Sequence, residues 1–279
     1  MAFQFLKVDR DEHILICSFS NPPSHTLTAE AVDELAQFLE SVQQDKTIRV
    51  VIFTSDNPGV FIAHYEVNEL KNESHDRAAS LDEREQMSES AQFDGDRTLS
   101  AMNKLCLRLA TIRPVTIAAI NGTTLGGGFE FCLSCDFRLM SDGRFRVGLP
   151  ETSIGIIPGA GGTQRYARLL GTAKAIDLIM HAKLLTPVEA LDFGLIHRLF
   201  DPNDFQAKVQ EFACSLANRS PLALAAVKKS IYQGAQLPLK EALFLEQNHF
   251  DAILGSKDAR QAMKAYIQGD VKRHVWKGE

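Results

Sequence analysis

The chain has 279 residues, 45% hydrophobic and 23% charged, enough apolar mass to bury a sizeable core in one domain or one domain with a small appendage. A formal net charge of -5 argues against nucleic acid as the main partner, because a phosphate backbone calls for a basic face. No apolar run reaches membrane-spanning length, and Met1 to Lys7 leads into the charged stretch Asp9 to Glu12 rather than a signal-peptide core. With five cysteines scattered through apolar runs (Cys17, Cys106, Cys132, Cys135, Cys214), the expectation is a cytoplasmic protein with reduced, buried thiols.

Phe5 to Val8 and Ile14 to Phe19 read as strands joined around the polar turn Asp9 to Glu12. From Thr28, an N-cap residue, Val32, Leu35, Phe38, Leu39 and Val42 recur at helical spacing until Asp45. Val50 to Phe53 is a continuous apolar strand, and Phe61 to Tyr65 follows the turn at Asn57-Pro58-Gly59. Lys71 to Arg97 carries many charges with few apolar anchors, and reads as a solvated segment containing a short helix, either a lid or a surface insertion. Leu99 to Ile112 restores helical spacing, and Val115 to Ile120 is a strand. Asp136 to Met140 and Phe145 to Val147 read as a strand pair joined at Asp142-Gly143. From Thr163 nearly everything reads helical, in pieces punctuated by Thr186-Pro187, Ser220-Pro221 and Pro238. The natural boundary lies near Phe200-Asp201-Pro202, dividing a strand-rich part, 1–200, from a helical part, 201–279.

Asn121 to Glu130, with its run Gly126-Gly127-Gly128, reads as tight turn, glycines and the start of a helix. A helix start presents unpaired N–H groups and partial positive charge, and glycine lets a ligand approach that backbone. The ligand is either a phosphate or an oxygen that becomes negative during a reaction, or the glycines merely allow close packing. Three chemistries fit the residues poorly. Neither glycine cluster has dinucleotide or P-loop spacing. His64-Tyr65-Glu66 with Cys132 and Cys135 resembles a zinc deaminase set, but these cysteines sit inside an apolar helical run. No G-x-S-x-G elbow occurs. What remains is a pair of carboxylates, Glu130 just inside the helix and Glu151 after Pro150, able to divide acid and base work beside an oxyanion site.

The segments Ile117 to Gly122 with Leu125 to Glu130, Cys135-Asp136, Gly148 to Glu151, and Gly155 to Arg165 resemble the enoyl-CoA hydratases of the crotonase superfamily, and weaker features extend the likeness over residues 3–267. The resemblance implies an α/β fold, a spiral of repeated strand-strand-helix units with a C-terminal helical trimerisation region, assembled as a homotrimer or hexamer. It implies a coenzyme A thioester substrate with no metal or redox cofactor. By position, Gly127 and Tyr65 would supply oxyanion-hole N–H groups, Glu130 would activate water and Glu151 would exchange the α-carbon proton. Gly159 would help hold the water, and Ala63, His64, Glu66 and Gly126 would line the substrate site. The expected reaction is reversible hydration of a 2-enoyl-CoA. Isomerisation, hydrolysis or decarboxylation of a related thioester, and silent acyl-CoA binding, are the alternatives. The loop departs from the superfamily's Ala-Gly-x-Asp: here it reads Ala63-His64-Tyr65-Glu66, with a histidine that tolerates the left-handed backbone glycine would allow.

Overall fold

The computed structural model describes residues 3–81, 99–269 and 275–279. It opens with β1 (Leu6–Asp11) and β2 (Ile14–Phe19), an antiparallel hairpin that pairs Leu6 with Phe19 and Asp11 with Ile14. In α1 (Ala29–Gln44) the Thr28 hydroxyl accepts from the Ala31 N–H, and Val32, Leu35, Phe38, Leu39 and Val42 make the buried face. A repeating unit then begins. β3 (Val50–Ser55) and β4 (Gly59–Val60) lead to α2 (Val67–Leu81) and α3 (Ala101–Thr111). β5 (Val115–Ile120) and β6 (Gly122–Leu125) lead to α4 (Gly127–Ser134). β7 (Phe137–Ser141) and β8 (Val147–Gly148) lead through a 3-10 turn, Glu151–Ile154, to α5 (Gly162–Leu170) and α6 (Thr172–Met180). β9 (Leu184–Leu185), α7 (Pro187–Asp192) and β10 (Arg198–Phe200) complete the sheets. Four helices follow: α8 (Phe205–Ala217), α9 (Pro221–Gly234), α10 (Leu239–Leu254) and α11 (Lys257–Ile267).

Each unit places its long strand in one sheet and its short strand in another. The large sheet has the order β1-β2-β3-β5-β7-β10 and the small one β4-β6-β8-β9. The chain therefore spirals, laying strand, strand and helix one turn after another, as the sequence implies. The long strands are buried on both faces because each faces a different layer. Val51 and Phe53 of β3 join Ala118 and Ile120 of β5 in the main core, while Val50, Ile52, Ile117 and Ala119 face Phe205, Val209 and Ala213 of α8.

Two expectations change. The run from Asn121 to the glycines is not a plain turn, since β6 is inserted and pairs with β4 and β8. β7 and the following strand are not partners: β7 lies between β5 and β10 in the large sheet, whereas β8 joins β6 and β9 in the small one. The turn at Asp142-Gly143 moves the chain between sheets instead of folding it back. Of the charged segment, the portion up to Leu81 is the helix α2, and residues 82–98 lie outside the described residues. No helix among the described residues is long and apolar enough to cross a membrane.

Candidate active site

The site is built where the loop after β4 meets the start of α4. Ala63 N–H donates to His25 O at 2.9 Å, and Leu125 N–H donates to Ala63 O at 3.0 Å. Leu27 N–H donates to His64 O and Glu66 N–H to Leu27 O, each at 2.8 Å, making the parallel bridge between Leu27 and Tyr65. In a parallel bridge the central residue's own N–H points to the opposite side. That side holds α4. A Cβ on Gly127 would lie 2.9 Å from Tyr65 Cβ and 3.4 Å from Tyr65 N, so the two backbones approach as closely as only glycine allows. Among the described residues no hydrogen bond uses the N–H of Tyr65 or of Gly127. Gly126, at φ +49, donates its N–H to Gly148 O at 2.9 Å and turns the chain into the helix.

Both glutamates belong to this neighbourhood, Glu130 in the first turn of α4 and Glu151 beside Gly126. Glu130 is buried, and its Oε1 accepts from the N–H groups of Ala160 and Gly162 at 2.8 and 2.7 Å, at the start of α5. Burial raises its pKa, opposed by those two donors and by Arg165. Glu151 begins the 3-10 turn, and its Oε1 would stand 3.1 Å from a Cβ on Gly126. Its Oε2 is buried without a hydrogen-bond partner. Desolvation first, and the neighbouring Glu130 charge in addition, push its carboxyl up to about 7. The arrangement joins a pair of free backbone donors to one carboxyl held by two N–H groups and a second with nearly none. Such a pair divides between base and acid near neutral pH.

Of the remaining sequence-predicted residues, His64 sits beside Gly126 and Glu151, its Cβ 4.0 Å from a Cβ on Gly126. Its Nδ1 lies 2.7 Å from Tyr65 O, so Nδ1–H donates to that carbonyl and Nε2 is left to face other groups. His64 does not adopt the left-handed backbone; His25, in the turn beside it, does, at φ 55. Glu66 turns away from the mouth, where its carboxylate accepts from Thr26 Oγ1 at 3.0 Å and from Asn68 N and Nδ2 at 3.0 and 2.9 Å, capping α2. Those contacts hold its pKa below the usual value. Gly159 is placed by Asn103, whose Nδ2 donates to its carbonyl at 2.7 Å. Cys132 and Cys135 are buried in and after α4, and no group of three or more potential metal ligands occurs among the described residues.

Sequence reasoning missed several contributors. Asn103 acts through its side-chain amide from a helix distant in sequence, while the N–H groups of Ala160 and Gly162 and the hydrogen-bonding edge His25 to Leu27 act through backbone geometry that residue type does not advertise. Tyr166, buried on α5, was also passed over; an aromatic four residues after Gly162, one helical turn along, was the available signal.

A spiral of this kind, with two carboxyls and a paired-amide mouth, defines a class rather than a single reaction. The family model for enoyl-CoA hydratase/isomerase matches residues 9–278, and the chain belongs to this family, within the crotonase superfamily. The short-chain-enoyl-CoA hydratase of Clostridium acetobutylicum is 29% identical over 262 residues, covering 94% of either chain. The enoyl-CoA isomerase/hydratase fer4 of Mycosarcoma maydis is 39% identical over 191 residues, 68% of each. Among solved structures, the enoyl-CoA hydratase of Bacillus anthracis superposes with a TM-score of 0.83 at 29% identity, covering 99% of this chain and 100% of that one.

Proposed function

We propose that the protein reversibly adds water to a 2-enoyl-CoA thioester, giving a 3-hydroxyacyl-CoA. The observation that supports this reading is that Glu151 Oε1 stands beside Gly126, the residue before the free Gly127 N–H, with Glu130 one turn into the same helix. In the proposed course the thioester oxygen lies between those two donors and gains enolate character as the reaction proceeds. Glu130, ionised, takes a proton from water as the water oxygen bonds to the β-carbon. Glu151, protonated, gives its proton to the α-carbon. The N–H of Gly159 steadies the water, and Ala63, His64 and Gly126 shape the acyl channel while Glu66 fixes the loop from outside. The chemistry is proton transfer and calls on no metal or redox group, with coenzyme A entering only as part of the substrate. Five free cysteines suit a reducing compartment such as the cytoplasm.

Incubating purified protein with crotonyl-CoA and longer enoyl-CoAs, and following loss of the conjugated thioester absorbance, tests the reading. Turnover that survives Glu151→Gln and Glu130→Gln unchanged would count against it. Removing either oxyanion donor's geometry should cost on the order of 3 kcal/mol of barrier.

A second reading, double-bond isomerisation, draws on the family's description and on His64, whose Nε2 offers a further proton-transfer group near Glu151. Product identification with wild type and His64→Gly separates the two. We also propose that residues 201–279 serve assembly, with trimers or hexamers formed through the C-terminal helices.

A further inference from the structure

Glu130 is held by the turn Pro158 to Gly162, where Gly159, Gly161 and Gly162 leave the backbone free to take other shapes. Two N–H groups of this turn, those of Ala160 and Gly162, converge on Glu130 Oε1 at 2.8 and 2.7 Å. Two side chains grip the turn from outside. Asn103, in the first turn of α3, donates from Nδ2 to the Gly159 carbonyl at 2.7 Å. Arg165, on α5, donates from Nη1 to the Ala160 carbonyl, also at 2.7 Å. The two grips are not equivalent. The Gly159 carbonyl and the Ala160 N–H are opposite ends of one peptide group, so Asn103 and Glu130 lie on a single hydrogen-bonded chain. Donation to the carbonyl end polarises the peptide and makes the N–H at its other end a stronger donor. The Ala160 carbonyl shares its peptide with the Gly161 N–H instead, which is not one of the two on Glu130, so Arg165 acts on that carboxylate by its charge.

We propose that Asn103 is a positioning residue for Glu130: through the Gly159–Ala160 peptide it orients and strengthens the N–H that holds the carboxylate, keeping Glu130 ionised and aimed as a base. The kinetic consequence rests on the hydratase reading, but the link through the peptide does not. A carbonyl only accepts, so the amide nitrogen of Asn103 must face Gly159. That nitrogen also lies 3.1 Å from Oγ of Ser100, the N-cap of α3, which limits how the amide can turn. The titratable groups that act on Glu130 or feel its charge are Arg165 from α5, Glu151 from the 3-10 turn and Cys106 from α3, whose Sγ lies 4.0 Å from the Glu130 carbonyl. Burial favours the protonated acid, and the Gly162 and Ala160 N–H groups with Arg165 oppose it. Weakening the Ala160 donor therefore raises the Glu130 pKa.

Asn103→Leu keeps the branched shape of the side chain and removes the donor. Carbon-13 NMR of protein labelled at glutamate Cδ, with Glu130→Gln to identify the signal, should show Glu130 titrating about half a unit higher in Asn103→Leu than in the wild type. In turnover, kcat should fall about fivefold with KM nearly constant, and the acidic limb of the kcat profile should move upward by about the same half unit. Ser100→Ala removes the helix cap and the amide's other partner while sparing the donor to Gly159, and should leave the Glu130 titration where it is. A shift in Ser100→Ala equal to that in Asn103→Leu would reduce the effect to the helix end and overturn the proposal, as would a Glu130 titration unmoved in Asn103→Leu. The wild type supplies a reading without any substitution at 103: the side-chain amide protons of Asn103 should move as Glu130 titrates and stay still in Glu130→Gln. Amide protons indifferent to Glu130 overturn the proposal. If they follow Glu130 but no enoyl-CoA is hydrated, the link through the peptide stands and the hydratase reading falls.

Discussion

Glu151 is a carboxyl group that the fold keeps from water while giving it little in return. Its pKa in the folded chain is about 7, against an ordinary value of 4.5, so the folded state binds the proton more tightly than the unfolded chain does. The stabilising effect of that proton is complete below pH 4.5 and is lost as pH rises through 7. Glu151→Gln replaces the acid with a neutral group of the same shape. The variant should match wild type at pH 5 and melt higher at pH 8, by an amount on the order of 1 kcal/mol once partial solvent exposure is allowed for. Thermal melts at the two pH values check this, and a variant equally or less stable than wild type at pH 8 contradicts it. In the proposed reaction the same ionisation governs turnover: in the hydration direction kcat should decline above about pH 7 as the acid is lost. His64 shows how a residue departing from a pattern can still leave the backbone unchanged. It spends Nδ1 on the carbonyl of Tyr65, bracing the peptide next to the proposed donor, and needs no left-handed conformation to do so.

At the level of elements, the decisive contact is α4 against the loop after β4. A Cβ on Gly128 would meet Ile62 O, a backbone atom, at 2.5 Å and Thr124 Oγ1, on β6, at 2.8 Å, so the helix would have to withdraw. Gly128→Ala should cost about 1–3 kcal/mol in chemical denaturation, as overpacked cores do. Gly127→Ala meets instead the Cβ of Tyr65 at 2.9 Å and should cost less stability than Gly128→Ala while cutting kcat/KM about a hundredfold, because it spreads the two N–H groups. Equal losses of stability in both variants would refute this division. The glycine run is legible in sequence as the start of a helix, which singles out Glu130, while Glu151 is read separately from its place after Pro150. The short strands were not legible. β6, β9 and β10 have four, two and three residues, too few for an alternating pattern, and their pairing is dictated by neighbours distant in sequence. For the same reason the destination of the chain after Asp142-Gly143 could not be read: a turn residue pair specifies a bend, not which sheet receives the next strand.

For the molecule as a whole, the C-terminal helices pose the question of what covers them. α9 is anchored within the chain. Lys228 Nζ donates to Asp136 Oδ2 at 2.8 Å and to the carbonyls of Leu109 and Pro114 at 2.9 and 3.2 Å, with both partners almost wholly buried. Removing one member of such a pair strands the other, so Lys228→Met should destabilise by about 3–5 kcal/mol, and adding Asp136→Asn should restore part of it. α10 lacks any comparable anchor: none of its sixteen residues is buried. Yet Leu239, Leu243, Phe250 and Leu254 stand exposed on it, at 75%, 53%, 57% and 43%. At 3.6 residues per turn these four fall within a stripe about 60° wide, too narrow and too regular for scattered surface residues. On α11, Tyr266 and Ile267 are also exposed, at 71% and 84%. An isolated helix of this length gains its stability mainly from burying such a stripe, so water is a poor partner for it. A second copy of the same chain is the simplest cover, since equal chains supply equal stripes and close into symmetric rings. Size-exclusion chromatography with light scattering should therefore return a mass of three or six times 30.9 kDa for the wild type. Leu243→Glu with Phe250→Glu should shift the population toward single chains that keep their circular dichroism. A wild-type mass of one chain, or an assembly indifferent to both charges, would mean that α10 is stable in water on other grounds.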